Sequence, residues 1–166
     1  METIELAPPH LSAFLKKHRI EAKFVAPGVS MPSVQLAAQA IGVPEEQILK
    51  TLLFADDDER FVVVIANGTR RIDRGKLAQA AAMRKPRAAK PADVLAVTGF
   101  PAGGVAPLGL PTSIPVIVDA ETAALSVAYG GGGHENLLLC VQISDVIRCN
   151  NALVAQIAES SEVTAR

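Results

Sequence analysis

Two apolar, β-rich runs, KTLLFAD (50–56) and RFVVVIAN (60–67), are separated by only the acidic run 56–59. Such a pair predicts an antiparallel hairpin with a charged, solvated turn. The hairpin has to be covered on its apolar faces, which constrains everything else the chain builds. The chain has 166 residues, 49% of them hydrophobic, enough for a sizeable core and against disorder. With no Trp and one Tyr, that core has to be aliphatic.

The covering elements can be read in order. Leu11, Phe14, Leu15 and His18 recur at helical spacing. Val34, Ala37, Ala38 and Ile41 form a second stripe, with Ser30 or Ser33 to cap its start and Gly42 to end it. A helical turn begins at Pro44, and DRGKLAQAAA (73–82) and PADVLAVTG (91–99) predict short helices. MRKPRAA (83–89) predicts an edge strand or loop, because Pro86 cannot donate to a ladder. Further strands are expected at 114–119, 126–130 and 136–142, and closing helices at 143–148 and 152–159. Strands and helices interleave without a regular βαβ beat. The expectation is an α+β fold, with a curved, barrel-like mixed β-sheet flanked by helices. One domain is expected over residues 1–166.

Several function classes look weak. Residues 1–5 carry two acids and do not resemble a signal peptide, and no apolar run is long enough to span a membrane, so a soluble, cytoplasmic protein is expected. Cys140 and Cys149 lie in apolar contexts without a CxxC and are expected to be reduced core residues. With His10, His18 and His134 they show no zinc spacing, so no metal is expected, and no cofactor. No GxSxG elbow is present, and the glycines at 130–133 are followed by neither Lys-Ser/Thr nor a helix start, which excludes a nucleotide-triphosphate cradle.

Four features remain. Lys50 enters an apolar strand, where it either points to solvent or, in a cleft, polarises a carbonyl. YGGGGHENLLL (129–139) sets four glycines before His134, either a flexible hairpin or a site element. Asp119 ends a buried-looking strand as a structural or a site carboxylate. The net charge of −1 hides eight basic residues between positions 70 and 90: Arg70, Arg71, Arg74, Lys76, Arg84, Lys85, Arg87 and Lys90. These are either a solvated face or a phosphate-contacting stripe. Four more bases fall between Lys16 and Lys23. Finally, VTGFPAGGVAPLGLP (97–111) has four glycines, three prolines and no charge, so it can act only through its backbone.

GVPEEQILKTLLF, TGFPAGGVAPLGLP, IPVIVDAE and YGGGGHENLLL, with RRIDRGKLAQAA between them, resemble in order and spacing the YbaK/EbsC-type domain. This is the aminoacyl-tRNA deacylase fold also found as the editing insertion of bacterial prolyl-tRNA synthetases. The resemblance runs from about residue 20 to 158. It implies hydrolysis of the ester of a mischarged tRNA, with the aminoacyl-tRNA 3′ end as partner and a prolyl-tRNA synthetase as a further one. A synthetase pocket gains only about 1–3 kcal/mol per methylene, so a second, size-limited site clears its errors. The family's essential lysine falls on Lys50. Its glycine loop falls on Gly103, Gly104 and Pro107, with the amides of Gly103 and Gly104 facing the substrate carbonyl. Its Gly-Gly-x-His element falls on Gly132, Gly133 and His134, the histidine orienting the terminal ribose or a water. Its hydroxyl residue falls on Ser33, with Met31 beside it shaping the pocket. The basic residues 70–87 would hold the tRNA end. The chain departs from the family pattern at Ala26-Pro27, where many members have His-Pro, and at Ala106, where many have Ser. These departures leave the amino acid open. A tRNA- or amino-acid-binding module without turnover, and a hydrolase of small free esters or amides, are the competing classes.

Overall fold

The computed structural model describes residues 7–160, so the acidic stretch 1–5 lies outside it. The hairpin forms as expected from β2 (Leu49–Ala55) and β3 (Phe61–Asn67), in register from Leu49 opposite Asn67 to Ala55 opposite Phe61. It lies in a five-stranded mixed sheet of order β4-β2-β3-β5-β8, with β4 (Arg87–Ala88), β5 (Val116–Asp119) and β8 (Leu153–Ala155). The β3–β5 and β5–β8 pairs are parallel and the other two antiparallel. β3 is buried on both faces, which is why Val62 to Ile65 read as an unbroken apolar run. A second, antiparallel sheet has the order β1-β7-β6, from β1 (Lys23–Val25), β7 (Leu138–Gln142) and β6 (Val127–Gly131). A parallel bridge between Ile48 and Tyr129 links the sheets. The fold is the expected α+β arrangement with mixed strands. Its curvature comes from two sheets meeting at that bridge, not from a closed barrel.

The helices follow their caps. α1 (Pro9–Lys17) buries Leu11 and Leu15 in the main core. α2 (Val34–Ile41) starts where the Ser33 hydroxyl accepts the Leu36 N–H at 3.1 Å, and ends at Gly42, φ 72°. α3 (Arg74–Ala81) is capped by Asp73, and α4 (Pro91–Thr98) opens on proline. α5 (Ala120–Ala123) is a single turn, and α6 (Ile143–Cys149) ends the expected strand-to-helix unit. Among the described residues no helix is long and apolar enough to cross a membrane.

Two expectations need correction. The 152–159 segment is not a helix. Asn151 turns out of α6 at φ 48°, and residues 153–155 pair in parallel with β5 as strand β8. The free edge of β5 overrides the weak local helix preference. The acidic turn is also not wholly solvated, because Asp56 is fully buried. Its carboxylate accepts the N–H of Asp58 (3.0 Å) and of Arg60 (2.9 Å) and pairs with the Arg60 guanidinium (3.0 Å). Burial works to raise the Asp56 carboxyl, but these bonds more than offset it and hold it below the usual carboxylate range.

Candidate active site

β4 covers only Phe54 and Ala55 of β2, and β6 meets the strand's start at the bridge of Ile48 to Tyr129, so the stretch between has no ladder partner on that side. The Leu53 carbonyl accepts the Ala89 N–H, which turns the odd-numbered main-chain groups of β2 toward this edge. The main-chain groups of Thr51 therefore face an open flank. A cavity of about 500 Å³ lies there. Lys50 and Thr51 contribute from β2, Met31 and Ser33 from the start of α2, and Gly103 and Val105 from the glycine loop. Gly131 and Glu135 close it from the β6–β7 connection.

Lys50 is half-buried and, among the described residues, makes no ion pair. It lines the cavity. α2 is held against the hairpin because Gly68 has no side chain. A Cβ there would overlap Val34, and the Gly68 N–H donates to the Ile48 carbonyl at 2.7 Å.

The glycine loop and the 130–133 glycines are one construction. A Cβ on Gly131 would overlap the Val105 carbonyl oxygen, one on Gly104 would lie 3.0 Å from the His134 nitrogen, and one on Gly130 would lie 2.9 Å from the Pro107 ring. The glycines let two loops stack backbone to backbone. Gly103, at φ 85°, has open space beside it, and among the described residues its N–H donates to nothing. Gly103 lines the cavity.

Several expected site residues are placed otherwise. The Gly104 N–H donates to the Pro101 carbonyl at 2.9 Å, so it closes a turn and does not face the cavity. His134 is exposed and absent from the cavity wall, and its Nδ1 accepts the Asn136 N–H at 3.2 Å. Gly132 donates to the Leu137 carbonyl at 2.8 Å, and Gly133, at φ 91°, lies against Pro8. Pro107 packs on Gly130, and its carbonyl accepts from Asn150 at 2.7 Å. Gly132, Gly133 and Pro107 are thus used in packing and do not line the cavity. Asp119 is buried, and its Oδ1 accepts the N–H groups of Ile157 (3.0 Å) and Ala158 (3.1 Å), so the fold uses it to tie down the end of the chain.

The basic stripe divides. A second hollow, of about 540 Å³, shares Lys50 and Leu52 with the first and is lined by Arg70, Arg71 and Arg74. Lys76 donates to the Ala158 carbonyl at 3.1 Å, and Arg87 pairs with Asp57 at 3.4 Å. Arg84 and Lys85 line neither hollow. Arg70 lines the second hollow while pairing with Glu121 at 3.0 Å.

Two cavity residues escaped sequence reasoning. Thr51 follows Lys50 in an apolar strand and carries a buried hydroxyl without a hydrogen-bond partner. Glu135, an exposed acid, follows the more conspicuous His134. Cys140 and Cys149 are free thiols, and burial pushes the Cys149 thiol up, away from the thiolate a nucleophile requires. Among the described residues, no three His, Cys, Asp or Glu side chains gather as metal ligands.

Over residues 29–149 the sequence matches the family described as the aminoacyl-tRNA editing domain. It is 32% identical over 107 residues, 64% of this chain and 68% of the relative, to the uncharacterized protein YwhH of Bacillus subtilis. It is 25% identical over 125 residues, 75% of this chain and 76% of the relative, to EbsC of Enterococcus faecalis, a candidate Cys-tRNA(Pro)/Cys-tRNA(Cys) deacylase. The fold matches the crystal structure of a candidate trans-editing enzyme for prolyl tRNA synthetase with a TM-score of 0.80. That match has 27% identity and covers 91% of this chain and 96% of the other.

Proposed function

The chain belongs to the aminoacyl-tRNA editing domain family, and from that premise we propose that it clears tRNA(Pro) carrying a small wrong amino acid, acting in trans. It is an aminoacyl-tRNA deacylase, a hydrolase of the ester between amino acid and tRNA. The observation that carries the finer reading is the shared wall of one cavity. Lys50 and the undonated Gly103 amide meet there in about 500 Å³, a modest volume for a ligand pocket. On this reading a single domain spans residues 1–166, α1 included.

The chemistry follows from those two groups. The ester carbonyl oxygen takes the Gly103 N–H and faces the Lys50 ammonium. Water or the neighbouring ribose hydroxyl adds to the carbonyl carbon, and the negative charge that develops on oxygen is met by both donors. The carbon–oxygen bond to the ribose then breaks, and the ribose oxygen takes up a proton. When water attacks, the free amino acid and the tRNA 3′ end leave. When the ribose hydroxyl attacks, the ester moves to that oxygen and water completes the hydrolysis. The ester is already reactive, so positioning and desolvation of the reacting groups carry much of the rate. The hollow lined by Arg70, Arg71 and Arg74 joins the cavity at Lys50 and offers the terminal phosphates a path. Met31 and Ser33 bound the space for the amino-acid side chain.

A deacylation panel tests this. tRNA(Pro) charged with alanine, cysteine, serine, threonine or phenylalanine is incubated with the protein at low and moderate salt. At least one small ester is hydrolysed, phenylalanine is spared, and the rate falls as salt rises. Binding without turnover of any ester, or hydrolysis of free amino-acid esters with no dependence on tRNA or salt, overturns the proposal.

A further inference from the structure

We propose that Glu135 binds the α-ammonium group of the aminoacyl ester and makes the site selective for esters whose amino group is free. This assignment presupposes the deacylase activity proposed above. One carbon from its carbonyl, every such ester carries an amine that is largely cationic near neutral pH. A cavity charged by Lys50 alone would attract the carbonyl and repel that amine.

The cavity supplies the missing charge. Among the described residues Lys50 and Glu135 are the only charged ones that line it, and they are of opposite sign. Among the described residues neither makes an ion pair, and no hydrogen bond engages the Glu135 carboxylate. The turn that presents Glu135 is built without it. The Leu137 N–H donates to the His134 carbonyl at 3.1 Å, and the Asn136 N–H donates to His134 Nδ1 at 3.2 Å. The base of the turn is anchored where Gly131 stacks on Val105. Glu135 is exposed at the cavity, and a carboxylate there, unengaged by the fold and opposite in sign to the other charge on the lining, suits a dipolar occupant. The carbonyl end of the ester meets Lys50 and the Gly103 amide, and its ammonium end meets Glu135 in a charge-assisted hydrogen bond.

The test uses tRNA(Pro) charged with alanine, cysteine or serine, each with its amine free and after N-acetylation, against wild type, Glu135→Gln and Glu135→Asp. A hydrogen bond between charged groups sets the expected scale at about 10–100-fold. Wild type should favour the free-amine ester by that factor in kcat/KM. Glu135→Gln should lose the preference by slowing only the free-amine ester, and Glu135→Asp should retain part of it. Equal slowing of both forms by Glu135→Gln assigns the carboxylate to the attack step and overturns the proposal, as does no slowing of either. If wild type hydrolyses none of the six esters, nor threonyl-tRNA(Pro), the proposed clearing of small esters itself fails. The contact is then read by calorimetry with a 3′-alanylamido analogue of adenosine. Tighter binding of its free-amine form than its N-acetyl form, lost in Glu135→Gln, supports the contact, and equal binding overturns it.

Discussion

Replacing Lys50 with alanine is expected to lower single-turnover deacylation of misacylated tRNA(Pro) by about 10²–10³-fold, the cost of one lost oxyanion donor. The melting temperature should change little. The physical reason for this split lies in how Lys50 is held. It is half-buried and engages no ion pair among the described residues, so the fold does not depend on its charge. The strand that carries it is fixed by its pairing with β3 and by buried Leu49, Leu53 and Phe54. Removing the ammonium therefore leaves the cavity standing with main-chain amides alone, Gly103 among them, to meet the developing charge. A variant that melts like wild type and retains near-normal rates on every ester contradicts the assigned role. Stopped reactions followed by acid-gel separation of charged and uncharged tRNA give the rate, and calorimetry gives the melt.

Gly131→Ala is expected to damage both stability and activity. The added methyl would overlap the carbonyl oxygen of Val105 and lie 3.0 Å from its carbon and 3.2 Å from the carbon of Gly104. All three are main-chain atoms, so no side chain can swing aside and the loops must separate. Overpacking of this kind costs about 1–3 kcal/mol, which for a chain of this size lowers the melting temperature by about 2–12 °C. The same separation moves Gly103, two residues from Val105, away from Lys50. A displacement of about 1 Å in a positioning element costs roughly 100-fold in rate. Gly103→Ala is a useful contrast, because open space surrounds its Cβ position and only its φ of 85° opposes the change. An unshifted melt and an unchanged rate for Gly131→Ala would show that the loops are not stacked as described.

Much of this was legible before any coordinates. Pro91 and the glycines 42 and 99 mark helix ends through local chemistry, and those ends form there; of Ser30 and Ser33 the second is the cap, and Asp73, read as the first residue of its helix, caps it. The hairpin is legible for the same reason, since two apolar runs and a short polar turn need no distant partner. Lys50 and the glycine loop are legible as unusual residues in their contexts. What escaped depends on distant partners. Strand β8 exists because β5 has a free edge, and nothing within 152–159 announces it. Asp119 reads equally as a structural or a site carboxylate until the N–H groups of Ile157 and Ala158 are seen to reach it. His134 draws attention after four glycines. Yet the stacking of those glycines holds its backbone outside, and the turn presents Glu135 to the cavity instead. Of the basic stripe, Arg70, Arg71 and Arg74 line a hollow that shares Lys50 and Leu52 with the site.

The central claim is that one ammonium and one main-chain amide act together on the carbonyl of a small aminoacyl group. A crystal structure with a non-hydrolysable 3′-alanylamido analogue of adenosine tests it most directly. The expected result places Lys50 Nζ and the Gly103 nitrogen each within about 3 Å of the analogue's carbonyl oxygen. An analogue seated away from β2, or a Lys50 ammonium turned to solvent while the cavity is filled, would contradict it.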